Sequence, residues 1–122
     1  MIFRNAIISG RQQDIAFEKG KIIDIAETTD NSSVDLKGKR IIPGLVDIHS
    51  HGCYGYDTMD ADFKPMCRFY GEHGTTSWFP TTMTMSYESL KKVTEAKTDF
   101  PGTNILGFHF EGPYICEKYK GG

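Results

Sequence analysis

The sequence contains no hydrophobic run approaching the roughly 18 uninterrupted apolar residues that a membrane-spanning helix needs. Its first residues lack the basic-then-apolar order of a secretory signal peptide. It also contains no block of lysine and arginine, and its formal net charge of −2 at pH 7 provides no long-range attraction for nucleic acid or an anionic membrane. We therefore expect a cytoplasmic protein with neither nucleic acid nor a membrane as a partner.

Cysteine is scarce, and its spacing suggests no pairing. The chain has three cysteines, Cys53, Cys67 and Cys116, and no two of them form a Cys-x-x-Cys motif. This pattern predicts reduced thiols. Cys53 lies two residues after His51 and could be a further metal ligand; the alternative is an ordinary loop cysteine.

The size and composition are those of one soluble globular domain, with 122 residues of which 39% are hydrophobic and 25% charged. Three short segments rich in β-branched and aromatic residues predict an antiparallel meander, at residues 2–8, 13–18 and 21–26. A polar loop at residues 28–33 and a brief strand at residues 34–36 follow. We expect residues 1–42 to form a separate β unit.

The pattern changes after Pro43, where short apolar strands alternate with segments of helical length, as in parallel β/α units. The expected strands are residues 45–49, 75–80 and 104–111. The expected helices begin at Asp60 or Asp62 and at Ser86, residues that are suited to an N-cap. The first of these helices should end before Gly74.

A complete barrel of β/α units needs eight strands and about 250 residues. Residues 43–122 supply only three such units. The predicted fold class is therefore α/β, with the first three β/α units of a TIM-type (β/α)8 barrel preceded by the small β unit. The barrel is incomplete, and we interpret the chain as the front portion of a longer protein.

Two histidines lie at the end of the first barrel strand. Residues 41–52 form an apolar run that ends in His49 and His51. Alternate side chains of a strand share a face and lie about 6.6 Å apart along it, so both imidazoles can bind one metal ion or two neighbouring ions. The alternative is a pair of polar residues at a strand end. Asp47 either accepts the second N–H of a ligand imidazole or caps the turn.

Glu111 is the third residue with metal-ligand chemistry. It follows the apolar strand that contains His109, and the Gly-Pro step after it ends that strand. This places the carboxylate at the carboxyl end of a strand, where α/β barrels carry their functional residues. An exposed glutamate before a turn has the same pattern. His109 shares the face of Glu111, and we expect it to support the site or to pack.

Other polar and aromatic residues near the strand ends have a structural interpretation that we favour. The hydroxyl cluster within residues 75–82 can orient ligands or satisfy buried backbone groups. His73 should be solvated. Four aromatic side chains could shape a sugar-sized pocket but are more often core residues: Tyr54, Tyr56, Trp78 and Tyr114.

Three motifs occur in a distinctive order: Pro-Gly-Leu-Val-Asp-Ile-His-Ser-His-Gly, Gly-Thr-Thr-Ser-Trp-Phe-Pro-Thr-Thr and Gly-Phe-His-Phe-Glu-Gly-Pro-Tyr. Together they resemble the amidohydrolase superfamily, and within it the N-acetylglucosamine-6-phosphate deacetylase family. The first motif marks only the superfamily. The Glu-Gly-Pro step, with its continuation to Lys120-Gly121, is the most specific. The resemblance covers essentially the whole chain and implies that the N-terminal strands belong to a small β-sandwich.

The resemblance implies a cytoplasmic enzyme that hydrolyses N-acetylglucosamine 6-phosphate, a small amino-sugar phosphate, to glucosamine 6-phosphate and acetate. His49, His51 and Glu111 match the metal ligands of that family. A divalent metal, Zn²⁺ or Fe²⁺, would suit them, with two ions in the intact enzyme. The intact enzyme would be a homodimer. No catalytic residue is expected within this chain, because the matching aspartate lies beyond Gly122, and the chain alone should be inactive.

Two other functions stay open. Another amidohydrolase, dihydroorotase-like or dipeptidase-like, would share the His-x-His motif, but several such relatives use a carbamylated lysine where Glu111 stands. The third possibility is a non-catalytic metal-binding or assembly module, because three parallel strands with open edges are prone to associate.

Overall fold

The computed structural model describes residues 1–26 and 33–119. The predicted polar loop falls outside these residues except for Ser33, and so does the Lys120-Gly121 step. The chain separates into two compact units, Met1–Pro43 and Gly44–Gly122. Each unit is described by itself.

The first unit is a small β-sheet. Its described residues form β1 (Ile2–Ile8), β2 (Arg11–Glu18), β3 (Lys21–Ala26), β4 (Ser33–Asp35) and β5 (Arg40–Ile41). The first three strands form the predicted antiparallel meander, and β4 and β5 pair in parallel with β1. Ala6 and Ile15 are buried, and the rings of Phe3 and Phe17 meet edge to face. Apolar residues of β1 and β2 thus provide the packing of this unit.

The second unit is built around one central strand. Its described residues form β6 (Leu45–Ser50), β7 (Gly52–Cys53), β8 (Tyr56–Asp57), α1 (Phe63–Glu72), β9 (Thr75–Thr82), α2 (Tyr87–Thr94), β10 (Asn104–Ile105) and β11 (His109–Phe110), with 3₁₀ turns at Thr58–Asp60 and Glu117–Tyr119. β6, β10 and β11 all pair in parallel with β9, while β7 and β8 form a two-stranded hairpin.

The architecture is therefore mixed α/β with several small sheets. Within residues 44–119 the strands do not close into a barrel. In the described part of the chain, neither helix has the length and apolar character needed to cross a bilayer.

The two helices begin close to the predicted residues but are capped differently. Ser86 caps α2, because its side chain accepts a hydrogen bond from the N–H of Ser89. Asp62 is the N-cap residue of α1, yet its side chain makes no capping hydrogen bond. Asp60 instead forms a capping box with Asp57 in the preceding 3₁₀ turn. A capped 3₁₀ turn thus lies between the hairpin and α1.

The third predicted barrel strand, residues 104–111, is not continuous. Ile105 pairs with Trp78 and His109 pairs with Thr81, so four residue steps on one side are matched by three on β9. The extra residue cannot stay in register and interrupts the strand. Gly107 lies in this interruption, and glycine weakens a strand interior. The prediction of one strand is therefore wrong, and β10 and β11 replace it.

The core of the second unit lies where α1 covers β9. Its buried side chains are Phe63, Met66, Cys67, Tyr70, Trp78 and Val93. The four from α1 follow the spacing of one helix face, which explains why that face is buried. Gly102 approaches this helix so closely that a Cβ there would collide with the backbone of Cys67. Trp78, which the sequence left open as a pocket residue, is a core residue.

Thiol labelling tests this packing. Cys67 is fully buried, and burial raises the pKa of its thiol to about 11, whereas Cys116 is exposed. At pH 8 only about one Cys67 thiol in a thousand would be ionised, so alkylation should be slow. We expect iodoacetamide to label Cys116 in the native protein and Cys67 only after unfolding in urea, as located by peptide mass spectrometry. Equal native labelling of both residues would contradict the packing, and Cys116→Ser is the control.

Candidate metal centre

Two parallel strands bring the predicted metal-binding residues together. His49 lies on β6 and His51 directly after it, while Glu111 directly follows β11. Near these ends Ser50 pairs with Pro80 and Phe110 pairs with Thr82, both of which belong to β9. Because β6 and β11 run in the same direction along one central strand, their carboxyl ends meet at one edge.

The imidazoles of His49 and His51 converge on one carboxylate oxygen of Glu111. Glu111 Oε2 lies 3.1 Å from Nε2 of His49 and 3.1 Å from Nε2 of His51. The ligand atoms of all three lie within 4.8 Å of one another, and the group could hold a metal ion. The side chains are 52%, 36% and 42% exposed for His49, His51 and Glu111, so a small molecule can reach them.

The donor set fits a divalent cation. Zinc binds imidazole nitrogen and carboxylate oxygen at about 2.0–2.2 Å, which in a tetrahedral shell separates two ligand atoms by about 3.3 Å. The observed nitrogen-to-oxygen separations of 3.1 Å are close to that value. Two histidines and one carboxylate also form a ligand set used by iron(II) proteins. The His49 contact also has the geometry of a hydrogen bond to Glu111 Oε2, whereas the His51 contact is a close approach of opposite partial charges without that geometry.

Thr84 holds the backbone at Glu111 in place. Its carbonyl oxygen accepts a hydrogen bond of 3.0 Å from the hydroxyl of Thr84. The next residue, Gly112, has a φ of +98°, and a Cβ there would collide with the Thr84 side chain. Only glycine fits this position without strain. The Glu-Gly pair thus lets Thr84 lie directly against the chain and fix the point from which the carboxylate projects.

His109 and Asp47 take different supporting positions. The His109 ring meets the His49 ring edge to face at 4.6 Å, and its Nδ1 lies 3.3 Å from the hydroxyl of Thr81. It therefore packs beside the group, as expected. Asp47 accepts the backbone N–H of His49 at 3.0 Å. The idea that Asp47 receives an imidazole N–H is wrong, because its carboxylate folds back onto the strand and caps it.

Several other sequence candidates lie elsewhere. Cys53 is half-buried, burial raises the pKa of its thiol, and it is not part of the group of three. His73 is exposed but not merely solvated, because its ring stacks on Phe69 at 4.1 Å and its Nδ1 lies 2.7 Å from the Phe69 carbonyl oxygen. Tyr114 is almost fully exposed, at 99%.

Sequence reasoning missed the residues beneath His51. The Ser50 hydroxyl accepts the Trp78 indole N–H at 2.8 Å and lies 2.7 Å from the Tyr70 hydroxyl, which donates to the Gly52 carbonyl at 3.3 Å. The N–H of Thr58 donates to the His51 carbonyl at 2.6 Å. A serine, a tyrosine and a tryptophan spread over three elements leave no local signal in the sequence.

Comparisons with known proteins agree on one class. No protein-family model matches the chain. The N-acetylglucosamine-6-phosphate deacetylase of Lysinibacillus sphaericus is 34% identical over 99% of this chain and 35% of its own length. The N-acetylgalactosamine-6-phosphate deacetylase of Escherichia coli O157:H7 is 29% identical over 82% of this chain and 29% of its own. The solved N-acetylglucosamine-6-phosphate deacetylase of Thermotoga maritima superposes with a TM-score of 0.75 at 33% identity, over 97% of this chain and 34% of that one.

These relatives belong to one class, the deacetylases of phosphorylated amino sugars. Within that class, the chain is a homologue of N-acetylglucosamine-6-phosphate deacetylase. It spans about a third of the length of the curated relatives that it matches.

Substitution of Gly52 tests how tightly the residue after His51 is confined. A Cβ there would collide with the carbonyl oxygen of Tyr56, whereas a Cβ at Gly55 meets no atom within 4 Å. Gly55→Ala incurs only the strain of a positive φ, about 1 kcal/mol. We expect Gly52→Ala to lower the free energy of unfolding in urea by about 2 kcal/mol or more, since overpacking is added. Equal losses in the two variants would contradict the close approach.

Proposed function

We propose that this chain is the N-terminal portion of a metal-dependent deacetylase that hydrolyses N-acetylglucosamine 6-phosphate to glucosamine 6-phosphate and acetate. The observation that carries the proposal is the convergence of His49, His51 and Glu111 at one strand edge, in a homologue of that enzyme. In this proposal the three side chains are the metal ligands contributed by the chain.

The chemistry of the three side chains supports this role. Neutral imidazoles would direct the lone pairs of His49 Nε2 and His51 Nε2 at the ion, and the Glu111 carboxylate would supply its negative charge. A bound divalent ion supplies Lewis acidity and lowers the pKa of a water molecule. No aspartate among the described residues joins the group, so the residue that moves the proton is expected outside them.

The finer fold assignment is part of the same proposal. We assign residues 43–122 to the first three β/α units of a TIM-type barrel and residues 1–42 to a β-sandwich portion. Parallel pairing of β6, β10 and β11 with β9 supports the first assignment, and the separate sheet of β1 to β5 supports the second. A cytoplasmic location, a homodimeric intact enzyme and a second metal ion are expected on the basis of homology alone.

A second candidate is a non-catalytic module that binds metal and associates through β6. Three apolar residues of this strand are more than half exposed: Leu45, Val46 and Ile48. Apolar strand surface of this kind favours association with other protein. This module would bind metal with the same three side chains, so metal affinity alone does not separate the two candidates and a catalytic test is needed.

Metal titration tests the ligand set. We expect the metal-free chain to bind one Zn²⁺ or Co²⁺ ion per molecule by isothermal titration calorimetry. His51→Ala and Glu111→Gln should each weaken that affinity by more than about 100-fold, beyond the effect of losing an outer-shell partner. His73→Gln is the matched control, because His73 is an exposed histidine outside the group and its loss should leave the affinity unchanged. Equal affinity of the wild type and Glu111→Gln would refute the site.

Acetate release tests the activity. The chain alone should release no acetate from N-acetylglucosamine 6-phosphate. A chimera that continues with the later residues of the Lysinibacillus sphaericus homologue should release acetate, and Glu111→Gln should reduce that rate at least about 100-fold, since it removes a ligand of the Lewis acid. The same chimera with His73→Gln is the control.

A substrate panel separates the alternatives. N-acetylgalactosamine 6-phosphate, dihydroorotate and a dipeptide are assayed with the same chimera. Faster hydrolysis of dihydroorotate or the dipeptide than of either amino-sugar phosphate would contradict the deacetylase assignment. Metal binding by the chain with no activity in the chimera would instead favour the non-catalytic module.

A further inference from the structure

A hydrogen-bond chain links Trp78, Ser50, Tyr70 and Gly52 beside the backbone of His51. The indole N–H of Trp78 can only donate, and it donates to Ser50 Oγ at 2.8 Å. The Gly52 carbonyl can only accept, and it accepts from the Tyr70 hydroxyl at 3.3 Å. The two hydroxyls lie 2.7 Å apart, and either can be the donor; when Tyr70 donates to Gly52, its single proton is used and Ser50 is the donor.

The hydrogen-bond chain includes both sequence neighbours of His51. Ser50 precedes it and is held by its side chain, and Gly52 follows it and is held by its carbonyl group. The carbonyl of His51 itself accepts the Thr58 N–H at 2.6 Å. Three consecutive residues are thus tied to surrounding elements, which leaves the backbone under His51 little freedom to shift.

The His51 ring makes a polar contact through Nε2, which lies 3.1 Å from Glu111 Oε2. Its Nδ1 is buried and has no hydrogen-bond partner among residues 1–26 and 33–119. Metal-ligating histidines normally donate the second ring N–H to an acceptor that fixes the ring orientation. Because His51 lacks this second bond, its ring orientation depends on its backbone, on packing and on the contact of Nε2 with Glu111.

The chain of bonds is buried and stays protonated. Trp78 is fully buried and Tyr70 is 8% exposed, so water competes little for these groups. Burial raises the pKa of the Tyr70 hydroxyl to about 12, against a weaker opposing effect of its hydrogen bond with Ser50. The Tyr70 O–H therefore remains a donor throughout the neutral range.

We propose that Tyr70 and Ser50 are positioning residues for His51: the hydrogen-bond chain from Trp78 to Gly52 sets where His51 Nε2 lies relative to Glu111. The proposal rests on the proposed metal site, and it assigns a role to residues that do not touch the ion. A hydroxyl on α1 thereby controls the geometry at the end of β6.

Tyr70→Phe tests the proposal by removing a single hydroxyl. We expect Co²⁺ affinity to fall about 10- to 100-fold, the range for loss of an outer-shell partner, and the visible absorption bands of bound Co²⁺ to shift as the ligand geometry changes. Tyr87→Phe is the matched control, because Tyr87 is 73% exposed and its hydroxyl is not part of the hydrogen-bond chain. Unchanged affinity and spectrum in Tyr70→Phe would overturn the proposal.

A double variant tests whether the two hydroxyls act as one unit. Ser50→Ala should weaken Co²⁺ binding to a similar extent as Tyr70→Phe. The double variant should bind Co²⁺ no more weakly than either single variant, because each single change already breaks the hydrogen-bond chain. If the two losses of Co²⁺ binding free energy were fully additive, the two hydroxyls would act independently and the idea of a single hydrogen-bond chain would be overturned.

Amide exchange provides a readout without metal. The Thr58 N–H is protected by the His51 carbonyl, and the Leu90 N–H by the Ser86 carbonyl in α2. We expect Tyr70→Phe to speed exchange at Thr58 and not at Leu90, since only the backbone at His51 is loosened. Equal acceleration at both amides would mean general destabilisation and overturn the proposal. Failure of the wild type to bind metal would overturn the proposed function but leave this exchange test standing.

Discussion

Parallel pairing with β9 is the constraint on which the candidate metal centre depends. His49 and Glu111 are 62 residues apart in the sequence, yet Nε2 and Oε2 of these residues lie 3.1 Å apart. They meet because β6 and β11 run in one direction beside the same strand and end at the same edge. A slip of one residue in either pairing would turn the side chain to the other face, so register decides whether the group exists.

The group is held by packed residues on one side and open on the other. Thr84 holds the backbone of Glu111, and the Tyr70 hydroxyl holds the backbone next to His51. Tyr70 belongs to the buried core, where an unpaired polar group would be costly, so its hydrogen bonds are specific as well as stabilising, whereas Thr84 is exposed. The ligand atoms themselves stay accessible to a small molecule.

The exposed apolar residues of β6 show where local pattern and structure part. A mostly apolar run such as that of β6, which only Asp47 interrupts before His49, predicts a strand buried on both faces of a parallel sheet. Leu45, Val46 and Ile48 are nevertheless 56%, 60% and 66% exposed. The sequence pattern predicts the strand correctly. Burial of its side chains depends on which residues pack against them, and residues 44–119 do not cover these three.

Local sequence patterns predicted most of the helices and strands and the chemical types of the residues at their ends. Segments rich in β-branched and aromatic residues predicted β1 to β3, segments of helical length behind N-cap residues predicted α1 and α2, and His-x-His and Glu-Gly-Pro marked the ligand candidates, because these signals are local. Tertiary structure decided the rest. The interruption between β10 and β11, the return of Asp47 to the backbone and the hydroxyl chain beneath His51 all depend on register or on contacts between elements distant in sequence, which no local pattern encodes.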